Sequence, residues 1–175
     1  MKELLLGAGK NHVKKLVINN REEWDDLVTL DMNPDHNPDV LWDMTKLPLP
    51  FDDDTFDEIH AYDVLEHTGQ QGDYRFFFAQ WSDFWRILKP GGTLLGNSPI
   101  HSCGWAWGDP GHTRLITPHC LVYLNQPEYD KQVGISPMTD YRFCYTADFD
   151  PIHIETKDET FIYGLKAIKP SRCTL

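Results

Sequence analysis

"LLLGAGKNH", Leu4 to His12, runs an apolar segment straight into Gly-Ala-Gly near the start of a 175-residue chain. A short apolar run that stops at glycine predicts a buried strand, then a turn whose backbone can lie close to a ligand. Working outward, "LVTLD" (Leu27–Asp31), "DVLWD" (Asp39–Asp43) and "FDEIHAYDV" (Phe56–Val64) read as further strands, separated by the turn-rich "MNPDHNP" and "PLPFDDDTF". The clearest helix spans Asp73–Leu88. Phe77, Trp81, Phe84, Trp85 and Leu88 fall at i, i+4, i+7, i+8 and i+11 and make one apolar face. "KPGG", Lys89–Gly92, stops it. "TLLGNSPI" reads as a fifth strand, and "IHIETKD" with "TFIYGLKAI" as an antiparallel hairpin turning at "KDE".

Strands in this series, with an intervening helix, predict one α/β domain over residues 1–175 built on an open, largely parallel sheet. One segment resists the pattern. "KNHVKKLVINNREEWDD" holds Val13, Val17 and Ile18 but also Asn19-Asn20. The first crossover helix is therefore expected to be short, irregular or replaced by a hairpin.

Composition narrows the function. A net charge of -11 argues against general nucleic-acid binding, which needs clustered Lys and Arg, and suits a bound cation better. Cys103, Cys120, Cys144 and Cys173 form no CxxC pair and read as free thiols of a reducing compartment. No signal peptide or membrane-length apolar run is evident, so a cytoplasmic protein without a membrane segment is expected. The spacing of His101, Cys103, His112 and His119 matches no established metal site, and no metal is expected.

In open α/β sheets ligands bind beyond the carboxyl ends of the strands. Four strand ends in succession carry what a nucleoside ligand needs. Gly7, Ala8 and Gly9 follow the first. Asp31, 22 residues beyond Gly9, ends the second, where a carboxylate can hold ribose hydroxyls. Asp43 and Met44 follow the third, an acceptor for an exocyclic amine and a cover for a purine face. "YDVLEH", Tyr62–His67, follows the fourth.

From Leu4 to about Pro99 the chain resembles the class I S-adenosylmethionine-dependent methyltransferases. The resemblance rests on "LLLGAGK", "LVTLDMNP", "WDMTKLPLPFDDDTFDEIHAYDVLEH" and "FWRILKPGGTLLGNSP". It implies a Rossmann-like sheet of about seven strands with an antiparallel C-terminal pair and helices on both faces. S-adenosylmethionine is the implied cofactor and S-adenosylhomocysteine its product. By position, Gly7, Ala8 and Gly9 would face the methionine part. Asp31 would hold the ribose with Met32 near the adenine, Asp43 and Met44 would bind the adenine, and Asp63, Val64 and His67 would line the site beneath. Two departures are expected to matter. Many relatives carry an acidic residue just before the glycine turn, where this chain has Leu5 or Leu6. Many also carry a helix ahead of the first strand, where this chain has Met1 and Lys2, so a lid is expected to come from elsewhere or to be missing.

The acceptor side is expected in residues 98–120, "SPIHSCGWAWGDPGHTRLITPHC". His101 is the first candidate base. Asp109 and His112, across Pro110-Gly111, are a candidate orienting pair, although Asp109 reads somewhat better as a cap on the segment starting near His112. Trp105 and Trp107 either stack on an acceptor or pack on their own scaffold. His67 reads better as a structural histidine than as a catalyst. A small-molecule or partner-delivered acceptor fits the acidic charge and small size, and the oligomeric state is open. A nicotinamide-dependent oxidoreductase shares the glycine turn, but Lys10-Asn11-His12 breaks its GxGxxG pattern. A chain that binds the cofactor as a non-catalytic or partner-dependent subunit is the alternative reading.

Overall fold

The computed structural model describes residues 1–17 and 20–174. Its seven strands are β1 (Lys2–Leu6), β2 (Asp26–Asp31), β3 (Val40–Leu41), β4 (Phe56–Tyr62), β5 (Leu88–Pro99), β6 (Phe149–Lys157) and β7 (Thr160–Ala167). They form one sheet in the order β3-β2-β1-β4-β5-β7-β6. Strands β1 to β5 pair in parallel, and β7 runs antiparallel to both β5 and β6. The chain order reverses at β1, so the ends of β1 and β4 open a crevice at the carboxyl edge, where such sheets bind ligands.

Among the described residues four α-helices accompany the sheet: α1 (Tyr74–Ile87), α2 (Gly104–Gly108), α3 (Pro118–Val122) and α4 (Gln126–Gln132). Helix α1 begins where the sequence says it should. The Asp73 carboxylate accepts the Phe76 N–H and caps it. Its apolar face, with Phe77, Trp81, Phe84 and Ile87, packs on Leu4, Leu6, Ile59 and Leu94 of the sheet. Arg86 on the same helix donates to Asp83, Asp53 and the carbonyls of Leu49 and Phe51. That clamp fixes the "PLPFDDD" turn against the helix. The β5 strand starts at Leu88, earlier than expected, because Leu88 already pairs with Phe56 and the KPGG residues continue the strand.

The opposite sheet face departs from the expected helical cover. Among the described residues no helix lies between β1 and β2, and only a short 3-10 turn at Pro34–His36 lies between β2 and β3. Among the described residues, Lys14, Leu16 and Trp24 lie over that face instead. Ile18 and Asn19, two of the residues behind the expectation of an irregular helix, lie outside the described residues. The cause is visible in the side chains beneath. Strands β1 and β4 present Glu3, Glu58, His60 and Tyr62 there, a polar surface that an apolar helix face would not match. Lys14, its side chain 1% exposed, pairs with Glu3 and lies 3.4 Å from Glu58. His60 reaches Glu58 at 3.1 Å and Tyr62 Oη at 2.6 Å. The Trp24 ring stands edge-on to His60, and its indole N–H donates to the His12 carbonyl. No helix of the described residues is long and apolar enough to cross a membrane.

Candidate active site

The turn after β1 needs glycine for two separate reasons. Gly7 (φ +58°) lies against Val64, and a Cβ there would meet Val64 Cγ2 at 2.3 Å. Gly9 (φ +59°) has nothing within 4 Å of a would-be Cβ and faces open space. Its N–H donates to Asp31 Oδ2 at 2.8 Å, while the Asn33 N–H donates to Oδ1 at 2.8 Å. Asp31 is thus buried and pinned between the ends of β1 and β2. Burial pushes its carboxyl up, but the Asn33 and Gly9 amides, with His36 beside them, outweigh it and hold the pKa below the usual value. His36 Nδ1 lies 3.1 Å from Asp31 Oδ2 yet off the hydrogen-bond direction, so the two backbone donors fix the carboxylate.

Contrasting substitutions follow from this geometry. Gly7→Ala combines a cost of about 1–2 kcal/mol for left-handed backbone with the Val64 clash, and is expected to lower the melting temperature by several degrees. Gly9→Ala meets no neighbour and is expected to destabilise less. Thermal melts of both variants check the order.

The other expected cofactor residues divide. Met32 is exposed beside Asp31, placed to meet a ligand held there. Asp43 is turned inward on its own loop, where Oδ1 accepts from the Thr45 N–H and hydroxyl. Met44 belongs to the hydrophobic core rather than to an open face. Asp63 sits in left-handed backbone (φ +50°) at the end of β4, its carboxylate taking Asn97 Nδ2 at 2.5 Å and Lys15 Nζ at 3.1 Å.

Below Asp63 the chain opens a cleft of about 500 Å³ that includes Glu66, His67, Asp109, His112, Trp105 and Glu159. The "VLEH" stretch forms a 3-10 turn, Leu65–His67, that turns Glu66 inward. Glu66 is 1% exposed, and its Oε2 accepts the Ser98 hydroxyl at 2.9 Å. Its carbonyl accepts the N–H groups of Thr113 and Arg114, which docks the later loop onto the turn. The result sets the His67 and His112 rings 4.5 Å apart, edge to face. Asp109 Oδ2 lies 3.9 Å from His112 Nε2 and Oδ1 accepts the Gly111 N–H, so Asp109 both caps the loop and stands by the histidine. Gly111 is required here, because a Cβ would sit 2.9 Å from His67 Nδ1.

His101 is not brought to this cleft. It lines a different cavity with His119 and Ile116, and its carbonyl takes the Trp107 indole N–H at 2.7 Å. Its nearness to Ser98 in sequence misplaced it, since the chain turns at Ile100–Cys103. Trp105 and Trp107 are 72% and 70% exposed, so neither packs on its own scaffold. Glu66 is the residue that sequence reading passed over. The available signal was an acidic residue inside the apolar "DVLEH" run.

A family described as a methyltransferase domain matches residues 18–96. No curated protein matches the sequence. Among solved structures, a SAM-dependent methyltransferase from Archaeoglobus fulgidus is 14% identical, with 94% of this chain and 85% of that one covered and a TM-score of 0.58. The Haloferax volcanii complex between a Trm112 methyltransferase activator and a methyltransferase gives 15% identity, coverage of 95% and 82%, and a TM-score of 0.59. The N-methyltransferase NodS from Bradyrhizobium japonicum, bound to S-adenosylhomocysteine, gives 12% identity, coverage of 95% and 77%, and 0.53. At such identities the likeness to the solved structures is one of fold. Residues 18–96 thus match a methyltransferase-domain family, and the seven-stranded sheet has the fold of these solved methyltransferases.

Proposed function

We propose that the chain binds S-adenosylmethionine across the ends of β1, β2 and β4 and moves its methyl group to a small or partner-delivered acceptor in the cleft beside His67 and His112. The observation that carries the reading is the pair formed by Gly9 and Asp31: open space over the glycine, and an ionised carboxylate fixed beside it by two backbone amides. Each Asp31 oxygen spends one acceptor position on an amide and keeps another for a ribose hydroxyl. Gly9, having no side chain, lets a ligand reach the backbone. Met32 would cover one side of an adenine, while Met44 in the core would support the floor from behind.

The bound cofactor supplies an electrophilic methyl group on a sulfonium. The chain's share of the work is to position the acceptor and take up its proton. Holding the reacting groups in line accounts for several kcal/mol of such a barrier. Trp105 offers a broad exposed face at the cleft for a flat or aliphatic acceptor. His112, with Asp109 beside it, is the group placed to accept a proton from an acceptor O–H or N–H.

Incubation with methyl-labelled S-adenosylmethionine and a fractionated cell extract tests the reading. Label in the small-molecule fraction, reduced at least about tenfold in His112→Ala, is expected. Label only in nucleic acid would contradict the acceptor class. Cofactor binding without any transfer would favour the non-catalytic or partner-dependent subunit.

A further inference from the structure

We propose that Glu66, His67 and His112 form a binding site for one divalent transition-metal ion, of which Zn²⁺ and Co²⁺ are representatives, at the floor of the acceptor cleft. The three residues each offer one ligand atom, and these atoms lie within 4.8 Å of one another. Around a tetrahedral ion with bonds of about 2.1 Å, ligand atoms stand roughly 3.4 Å apart, so small side-chain rotations close the site. Two of the groups are otherwise unexplained. Glu66 Oε1 and His112 Nδ1 are buried and have no hydrogen-bond partner. Buried polar atoms are rarely left so, and each such exception calls for a cause.

A second cluster in the same chain sharpens the argument. Glu3, Glu58 and His60 are grouped as closely, but there Lys14 supplies the cation within the cluster. The Glu66 cluster has no such cation. Among the described residues no lysine or arginine lines its cleft, while Asp109 and Glu159 add further carboxylates. Asp63 also lines it, but that carboxylate is shared between Asn97 and Lys15. Two imidazoles and one carboxylate favour a borderline transition metal over Mg²⁺ or Ca²⁺, which take mostly oxygen ligands.

The position of the site is also informative. It is closed from below by Ser98, which donates to Glu66, and is open above toward Trp105 and Asp109. An ion held by three protein groups keeps a coordination position for an oxygen of the acceptor. With the ion bound, His112 serves as a ligand and the acceptor's proton passes instead to Asp109 in the same cleft; that use of the ion rests on the proposed methyl transfer, and the ion site itself does not.

The test needs no cofactor. Chelator-treated full-length protein is titrated with Zn²⁺ by calorimetry and with Co²⁺ by visible absorption. One ion per chain is expected, with Mg²⁺ failing to compete. Glu66→Gln, His67→Ala and His112→Ala should each weaken binding at least about 100-fold, within the range that loss of a ligand or its support produces. Glu66→Gln guards against a trivial loss of fold. It keeps the side-chain volume and an acceptor for the Ser98 hydroxyl, so the metal-free variant should melt within a few degrees of wild type. Absence of binding to the wild-type chain would overturn the proposal, as would equal affinity in Glu66→Gln and His112→Ala. Either failure would leave S-adenosylhomocysteine binding at Asp31 untouched.

Discussion

Lys14→Met is expected to lower the unfolding free energy by about 3 kcal/mol, because it leaves Glu3 and Glu58 buried without their cation. The magnitude comes from asymmetry. A complete buried ion pair adds little net stability, but removing one partner strands the other. Lys14 also lies over the Trp24 ring, 5.1 Å from its centroid, and that packing goes with it. Pairing Lys14→Met with Glu3→Gln should recover part of the loss, which urea titration of the single and double variants would show.

The pH dependence gives a second readout of the same network. Burial pushes the Glu58 carboxyl up, but His60 and Lys14 more than offset it, and its pKa is lowered from 4.5. A carboxylate depressed in the folded state adds stability above its unfolded pKa and loses it as the pH falls through the folded value. Wild type should therefore weaken on acidification below 4.5, as far as this group governs it. Without Lys14, Glu58 loses one of the charges that hold it down, and the variant should lose less over the same range. Urea midpoints at about pH 7 and about pH 4 decide it. A Lys14→Met variant as stable as wild type, with the same acid profile, would show that the segment over the sheet is not held by this network.

Asp31→Ala should weaken S-adenosylhomocysteine binding at least about 100-fold, since hydrogen bonds to a charged carboxylate are each worth about 1.5–3 kcal/mol and a ribose offers two hydroxyls. The same change frees the Gly9 and Asn33 amides, so part of the loss reflects a loosened turn. Asp31→Asn separates the two effects. Its amide oxygen can still accept one backbone N–H, and its affinity should fall between wild type and Asp31→Ala. Because the Asp31 pKa is lowered from 3.8, the carboxylate stays ionised and its contribution to binding should be flat from about pH 5 to about pH 8. A steep loss of affinity in that window would point to another group.

Local signals carried most of the fold. The apolar runs ending at Gly7, Asp31 and Tyr62 announced β1, β2 and β4, and the 3.6-residue stripe from Phe77 to Leu88 announced α1. The poor helical pattern after Gly9 correctly warned of an irregular crossover. The reason for it was not local. Glu3, Glu58 and His60 come from two strands, and only pairing of β1 with β4 joins them into the surface that Lys14 covers. Helices α3 and α4 were missed for another reason. They are single-turn or two-turn helices, marked by Thr117 before Pro118 and by Pro127 rather than by periodicity.

The site divided along the same line. The contact between Gly9 and Asp31 was legible because strand-end position and a spacing of 22 residues suffice to pair them, while their part in holding a cofactor stands as proposed above. Met44 and Asp43 were not, since the residue type fits both a ligand face and the core or turn it in fact occupies. On the acceptor side, sequence distance misled in both directions. His101 stood near Ser98 and folds into another cavity, whereas His112 lies far along the chain from His67 and packs against its ring. The link is the Glu66 carbonyl, which docks Thr113 and Arg114, and no residue pattern encodes that contact.

Calorimetric titration of S-adenosylhomocysteine into the wild-type chain is the most direct test of the cofactor site at Gly9 and Asp31. One molecule per chain, bound at micromolar affinity and lost in Asp31→Ala, is the expected result. A folded wild-type protein that takes up neither S-adenosylhomocysteine nor S-adenosylmethionine, or an Asp31→Ala variant that binds as tightly as wild type, would contradict it.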